Sequence, residues 1–232
     1  DFFDVFSIGE GEEALCEMVR LYIEMKSSGS YTKAGYLREL SHIEGFYVPS
    51  LYRVEYNPDG TVESYAPLYP DVPGKIRKRI IKDLDAAPFP DTFVMPYIET
   101  VHDRITEEVY RGCIRGCRFC QAGMIYRPVR EKSPDRVNEQ VRCLYEHTGY
   151  DEVSLLSLSI SDYSQLSHLT EKLLEWTDKE KVSLSLPSLR ADTFSKELMD
   201  RISSVRQSGL TFAPEAGTQR LRDAINKNIS EE

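Results

Sequence analysis

The chain has 232 residues, 41% of them hydrophobic, and a formal net charge of −9. That charge excludes sequence-independent nucleic-acid binding by the surface as a whole, because such binding rests on neutralising phosphates. No apolar run reaches the roughly 18 residues of a membrane span, so a soluble, cytoplasmic protein with no membrane partner is expected, built as one main domain plus an appendage.

The first residue is Asp1 rather than Met, and no cationic and apolar leader precedes the first apolar segment. A piece of a longer protein is therefore expected. Asp4 to Ile8 reads as a strand. Gly9 to Glu13 forms a turn whose carboxylates complement the dipole of a helix running through Lys26. Apolar and aromatic residues from Phe46 to Tyr56, the turn Asn57-Pro58-Asp59-Gly60 and a return over Val62 to Tyr65 predict a hairpin. Residues 67–96 carry six of the 12 prolines, which suppress regular structure and mark a connection between domains.

Beyond Arg104 strand and helix patterns alternate. A strand leads to Cys113, and Ser133 caps a helix with Pro134 at its first position and Val137, Val141 and Leu144 on one face. Glu152 to Ile160 is the next strand, and Leu166, Leu169, Leu173 and Trp176 mark the next helix. A strand over Val182 to Leu186 precedes a helix with Leu198, Ile202 and Val205. A fourth strand over Leu210 to Ala213 precedes a helix opened by Gly217, with Leu221 and Ile225. Such βα repeats imply a parallel sheet or barrel.

Five cysteines is an odd number, and three of them fall within eight residues, which suits metal ligation in a reducing compartment better than a disulfide framework. Cys16 and Cys143 lie in helical patterns beside apolar residues and are expected to be buried, inert thiols. The segment Cys113-Ile114-Arg115-Gly116-Cys117-Arg118-Phe119-Cys120 follows the first strand of the βα series, at the strand edge where catalytic sites gather. Thiolates are the usual ligands of iron–sulfur clusters. Three of them leave one iron of a cubane open. The competing reading, a zinc-stabilised nucleic-acid-binding module, needs a fourth ligand from Cys16, Cys143, His42, His102, His147 or His168, none of them close in sequence. Seven basic residues (Arg111, Arg115, Arg118, Arg127, Arg130, Lys132 and Arg136) stand against Glu131 and Asp135 around the cysteines. They serve either internal salt bridges or an anionic ligand.

With Phe119 directly before the last cysteine, the spacing resembles the signature of the radical S-adenosylmethionine (SAM) superfamily over about residues 104–232. Ser157 to Tyr163, Leu186 to Arg190 and Ala213 to Thr218 resemble an uncharacterised branch of it, of the Fe–S oxidoreductase type, often joined to a cobalamin-binding-type domain. Asp4 to Glu13 resembles the last strand and turn of that domain. The resemblance implies an α/β fold: residues 1–66 the C-terminal remnant of a Rossmann-like cobalamin-binding-type domain with a hairpin, residues 67–103 a Pro-rich linker, and residues 104–232 the N-terminal part of a TIM-barrel-like (βα) barrel. About four of the usual six βα units would be present. It further implies a [4Fe-4S] cluster on Cys113, Cys117 and Cys120, reductive cleavage of SAM to a 5′-deoxyadenosyl radical, and a flavodoxin- or ferredoxin-like reductant. Phe119 would approach adenine largely through its backbone. Ser157 and Ser159 stand where relatives bind the SAM amino group, and Glu215 where relatives approach the ribose. Arg190 would either meet a carboxylate or pair with Asp192. No residue is assigned to the chemistry on substrate, the substrate is not legible, and no cobalamin-ligand Asp-x-His-x-x-Gly motif is present. A cobalamin-binding accessory protein is the third reading.

Overall fold

A computed structural model describes residues 2–98, 100–193 and 212–230. The chain forms two compact units, Asp1–Lys82 and Asp83–Glu232.

In the first unit, strand β1 (Phe6–Ser7) pairs antiparallel with β2 (Phe46–Tyr47). Helices α1 (Gly11–Ser27) and α2 (Lys33–Leu40) lie between them in sequence. The strand expected from Asp4 to Ile8 shrinks to two residues, because only Phe6 and Ser7 meet a ladder partner. The α2 helix, which the sequence reading passed over, starts at Thr32, whose hydroxyl accepts the Gly35 N–H at 3.1 Å. Ala14, Leu40 and Phe46 form a small core with Met18 and Leu21. Cys16 is exposed, not buried as expected. It sits two residues from both Ala14 and Met18, roughly 200° around the helix from either, on the side away from that core.

The carboxylates of the Gly9 to Glu13 turn do more than complement the α1 dipole. Glu13 and, one turn on, Glu17 hold the Arg79 guanidinium at 2.7 and 2.6 Å. The expected hairpin forms, but Pro49 starts a single 3-10 turn over Pro49–Leu51 that separates β2 from β3 (Tyr52–Tyr56). Strand β4 (Val62–Pro67) then pairs antiparallel with β3. Between Pro67 and Arg104, the described residues hold no helix or strand beyond a bridge of Arg79 to Gly9.

In the second unit, β5 (Ile105–Glu108), β8 (Glu152–Leu156) and β9 (Ser183–Ser185) form a parallel sheet in that order. Strands β6 (Tyr110–Arg111) and β7 (Arg130–Glu131) pair antiparallel and bracket the segment that holds the cysteines. Helix α3 (Ala122–Ile125) lies inside that bracket. Helix α4 (Pro134–Thr148) crosses from β5 to β8, and α5 (Leu166–Glu180) from β8 to β9. The strand expected from Glu152 to Ile160 stops at Leu156, and Ile160–Asp162 folds as a 3-10 turn. Leu198, Ile202 and Val205 lie outside the described residues, as do Leu210 and Thr211. Phe212 and Ala213 join no strand, so the sheet has three strands among the described residues rather than four. The last helix, α6 (Gln219–Ala224), is capped by Thr218 rather than opened by Gly217.

Pleating sends Ile105, Val153, Leu155 and Leu184 to one face of this sheet, where they meet Val137, Val141, Leu144, Leu169 and Leu173 of α4 and α5. Most of these are fully buried, each worth about 1.5–3 kcal/mol. The register places Thr106, Glu108, Ser154, Leu156 and Ser185 on the other face. Among the described residues no helix is long and apolar enough to cross a membrane.

Candidate metal centre

The parallel order of β5, β8 and β9 brings their C-terminal ends to one edge, and the chain leaves β5 there for the cysteine segment. Tyr110 anchors that departure. Its phenol donates to the Ser159 carbonyl beyond β8, and burial pushes it up to about 12. Within the loop two sulfurs receive backbone N–H groups: Cys113 Sγ from Arg115 and Cys120 Sγ from Gly123, each at 3.4 Å. The N–H of Cys120 donates to the Cys117 carbonyl at 3.1 Å, which tightens the last turn.

All three cysteines line one cavity of about 280 Å³, together with Phe119, Ser159, Arg190 and Glu215. Ser157 is not among the lining residues, and its hydroxyl lies beside the Tyr110 phenol. Phe119 is 54% exposed. Cys143 is half-buried on α4, with its sulfur 3.4 Å from His147 Nδ1, away from the cavity lining. Among the described residues no three His, Cys, Asp or Glu side chains lie close enough to share a single metal ion.

The walls are held by a chain of charges that composition alone does not reveal. Arg115, inside the cysteine motif, binds Asp162 bidentately through one guanidinium edge, Nε to Oδ2 at 2.9 Å and Nη2 to Oδ1. Its Nη1 lies 3.5 Å from Asp192. Asp192 in turn takes Arg190 bidentately at 2.9 Å, and a second proton of Arg190 Nη2 reaches the Lys227 carbonyl at 2.8 Å. Lys227 Nζ lies 3.2 Å from Glu215. Burial alone would raise the Asp162 carboxyl, but Arg115 and Ser159 outweigh it and hold the group below its ordinary value. Of the basic stretch, Arg111, Arg115, Lys132 and Arg136 form ion pairs with Glu108, Asp162, Glu107 and Glu139. Arg118 and Arg127 reach backbone carbonyls, of Ala224 and Arg115.

Two cavity residues, Ser188 (φ 61°) and Glu215 (φ 68°), adopt the left-handed backbone region, as do Asn226 (φ 56°) and Asn228 (φ 54°) just beyond. Non-glycine residues there cost energy that the surrounding structure must offset, and they cluster at functional sites. Sequence reading missed Ser188, Asp162 and Lys227; it had Arg115 only within the basic stretch, and the pairing of Arg190 with Asp192, one of its two alternatives for Arg190, forms. Its available signals were the charge of Arg115 inside the motif and the acid in the segment Ser157 to Tyr163.

Three thiols on one cavity, two of them already receiving N–H groups, form a donor set that fits an iron–sulfur cluster, whose sulfurs are commonly hydrogen-bonded. The radical SAM superfamily profile matches residues 108–232. The chain belongs to the radical SAM superfamily. A second profile, described as the N-terminal region of radical SAM proteins, matches residues 1–49. Over 231 residues the chain is 31% identical to an uncharacterised protein of Methanocaldococcus jannaschii, a match that spans the whole chain and 42% of that protein. A provisionally named methylthiotransferase of the same archaeon is 23% identical over 134 residues, 54% of this chain and 29% of its own length. The chain thus spans less than half the length of these curated relatives. Across that superfamily, iron–sulfur and SAM radical chemistry is the general activity and a reductant the general requirement.

Proposed function

We propose that this chain holds a [4Fe-4S] cluster on Cys113, Cys117 and Cys120 and forms part of the SAM site of a radical SAM enzyme. The observation that carries the reading is the convergence of the three thiols with Phe119, Ser159, Arg190 and Glu215 on one cavity at the C-terminal edge of a parallel sheet. When bound, the cluster supplies the electron that cleaves the SAM sulfonium to methionine and a 5′-deoxyadenosyl radical.

The chain's own residues bind and orient. Phe119, on the cavity wall, meets adenine largely through its backbone. Glu215 stands on the wall for the ribose, and Ser159 for the amino group, with Ser157 beneath it. Arg190 acts from within, because Asp192 and the Lys227 carbonyl already occupy its guanidinium. In the same reading residues 104–232 are the N-terminal part of a (βα) barrel, residues 67–103 a connection, and residues 1–66 the end of a preceding domain of cobalamin-binding type. The match of residues 1–49 to an N-terminal profile supports a domain before the barrel.

The test uses the full-length protein, reconstituted anaerobically with iron and sulfide and then reduced. Iron and sulfide in equal amounts, and 5′-deoxyadenosine formed even without substrate, are the expected results. Cys117→Ala should abolish both and Cys143→Ala neither. Tightly held zinc in place of iron, or a loaded protein that leaves SAM intact, overturns the proposal.

A further inference from the structure

The turn that ends α6 is joined to the cysteine loop at Cys117, whose sulfur, unlike those of Cys113 and Cys120, receives no N–H group among the described residues. Cys113 and Cys120 each receive an N–H from their own segment. Each of the two peptide groups flanking Cys117 is also held from residues far along the chain, in addition to the Cys120 N–H on the Cys117 carbonyl. Asn226 Nδ2 donates to the Gly116 carbonyl at 2.8 Å, on the peptide before Cys117. The Arg118 N–H, on the peptide after it, donates to the Ile225 carbonyl at 2.9 Å, and Arg118 Nη1 donates to the Ala224 carbonyl at 2.6 Å. Fixing both peptide planes fixes the direction of the Cα–Cβ bond between them, and so confines the sulfur to the few staggered positions about that bond.

The turn is itself rigidly set. Asn226 and Lys227 donate their N–H groups back to Asp223 and Arg222. Arg222, 6% exposed, fastens Ile229 and Ala216 by their carbonyls at 2.8 and 3.0 Å. Asparagine tolerates the left-handed backbone of position 226 better than most residues, and from there its amide reaches the loop. A Cβ on Gly116 would lie 3.0 Å from Asn226 Nδ2, so a larger residue there would push the amide off by a few tenths of an ångström.

We propose that Ala224–Asn226 is a clamp for the cluster loop, with Asn226 the positioning residue that aims Cys117. The inference rests on the reading that the three thiols hold a cluster, and deepens it. Asn226→Gly keeps the backbone conformation and removes only the amide. In the reconstituted full-length protein it should lose iron to a chelator about tenfold faster than the native protein, as supporting residues around metal ligands do when removed. The electron paramagnetic resonance spectrum of the reduced cluster should shift, and Tm should stay unchanged. Asn228→Gly, at the same backbone conformation but with no contact to Gly116, should match the native protein in all three. Equal iron loss from native and Asn226→Gly proteins, or equal acceleration by Asn228→Gly, overturns the clamp alone. A native protein that assembles no cluster overturns the underlying reading and the clamp with it.

Discussion

Arg115 reaches 47 residues along the chain to lay its guanidinium on both oxygens of Asp162. The carboxylate is almost enclosed, its side chain 4% exposed. Asp162→Asn keeps the shape and removes the charge, which should cost about 1.5–3 kcal/mol, the value of a hydrogen bond to a charged group. The pH dependence has a definite sign. Arg115 holds the folded carboxyl below its ordinary 3.8, so its contribution is complete above that value and is lost as pH falls through the folded one. Urea melts should therefore differ between native and Asp162→Asn proteins at pH 6 and converge in strong acid. A constant difference at every pH would refute this account.

Lys132 and Glu107 form a second pair, buried at 7% and 1% exposure, with Gln140 accepting from the same ammonium at 3.0 Å. Burial raises the Glu107 carboxyl and Lys132 opposes the rise. Lys132→Met strands a buried carboxylate and should destabilise by about 3–5 kcal/mol, whereas Lys132→Met with Glu107→Leu should recover most of the loss. In the single variant Glu107 binds a proton more readily folded than unfolded, so stability should rise as pH falls from 8 to 5.5. Flat stability over that range in denaturant titrations would contradict it.

The ends of α4 allow a test apart from the site. Ser133 caps it by accepting the Arg136 N–H at 3.2 Å, and Gly149 closes it at φ 71°. Ser133→Ala and Gly149→Ala should each cost about 1 kcal/mol, lowering Tm by roughly 2–4 °C, with no effect on iron content. Calorimetry and metal analysis on the same samples check both halves.

Chelator treatment of the loaded full-length protein should change which thiols can be alkylated. Cys16 is exposed, so it should react before and after treatment. Cys113, Cys117 and Cys120 should react only after the iron is stripped, since the thiolate is both the metal ligand and the nucleophile. Peptide mass mapping reads this directly. Alkylation of these three in loaded protein would remove them as ligands.

The parallel sheet and α4 were legible because their signals are local: Ser133 and Pro134 at the start, then Val137, Val141 and Leu144 at helical spacing. The β6–β7 bracket was not, since two residues per strand leave no periodicity to read. Cys16 misled because Leu15 and Val19 suggested burial, yet both lie on the uncovered side of α1, at 56% and 44% exposure. At the site, the close spacing of the cysteines carried the metal reading. The partners that reach the motif from separate segments, Asp162 for Arg115 and Asn226 for the Gly116 carbonyl, have no single-sequence pattern to mark them.

The reach of these contacts has a consequence during synthesis. The peptide carbonyl of Gly116 waits for a side chain 110 residues later. At a ribosomal pace of about 5–20 residues per second, that delay is on the order of 5–20 s, during which Cys117 emerges with its flanking peptides not yet held by the turn after α6. A nascent chain therefore exposes the three thiols as a floppy strand before they become a socket. Iron delivery that waits for the completed turn would find a preformed seat, whereas earlier delivery would meet three mobile nucleophiles open to oxidation.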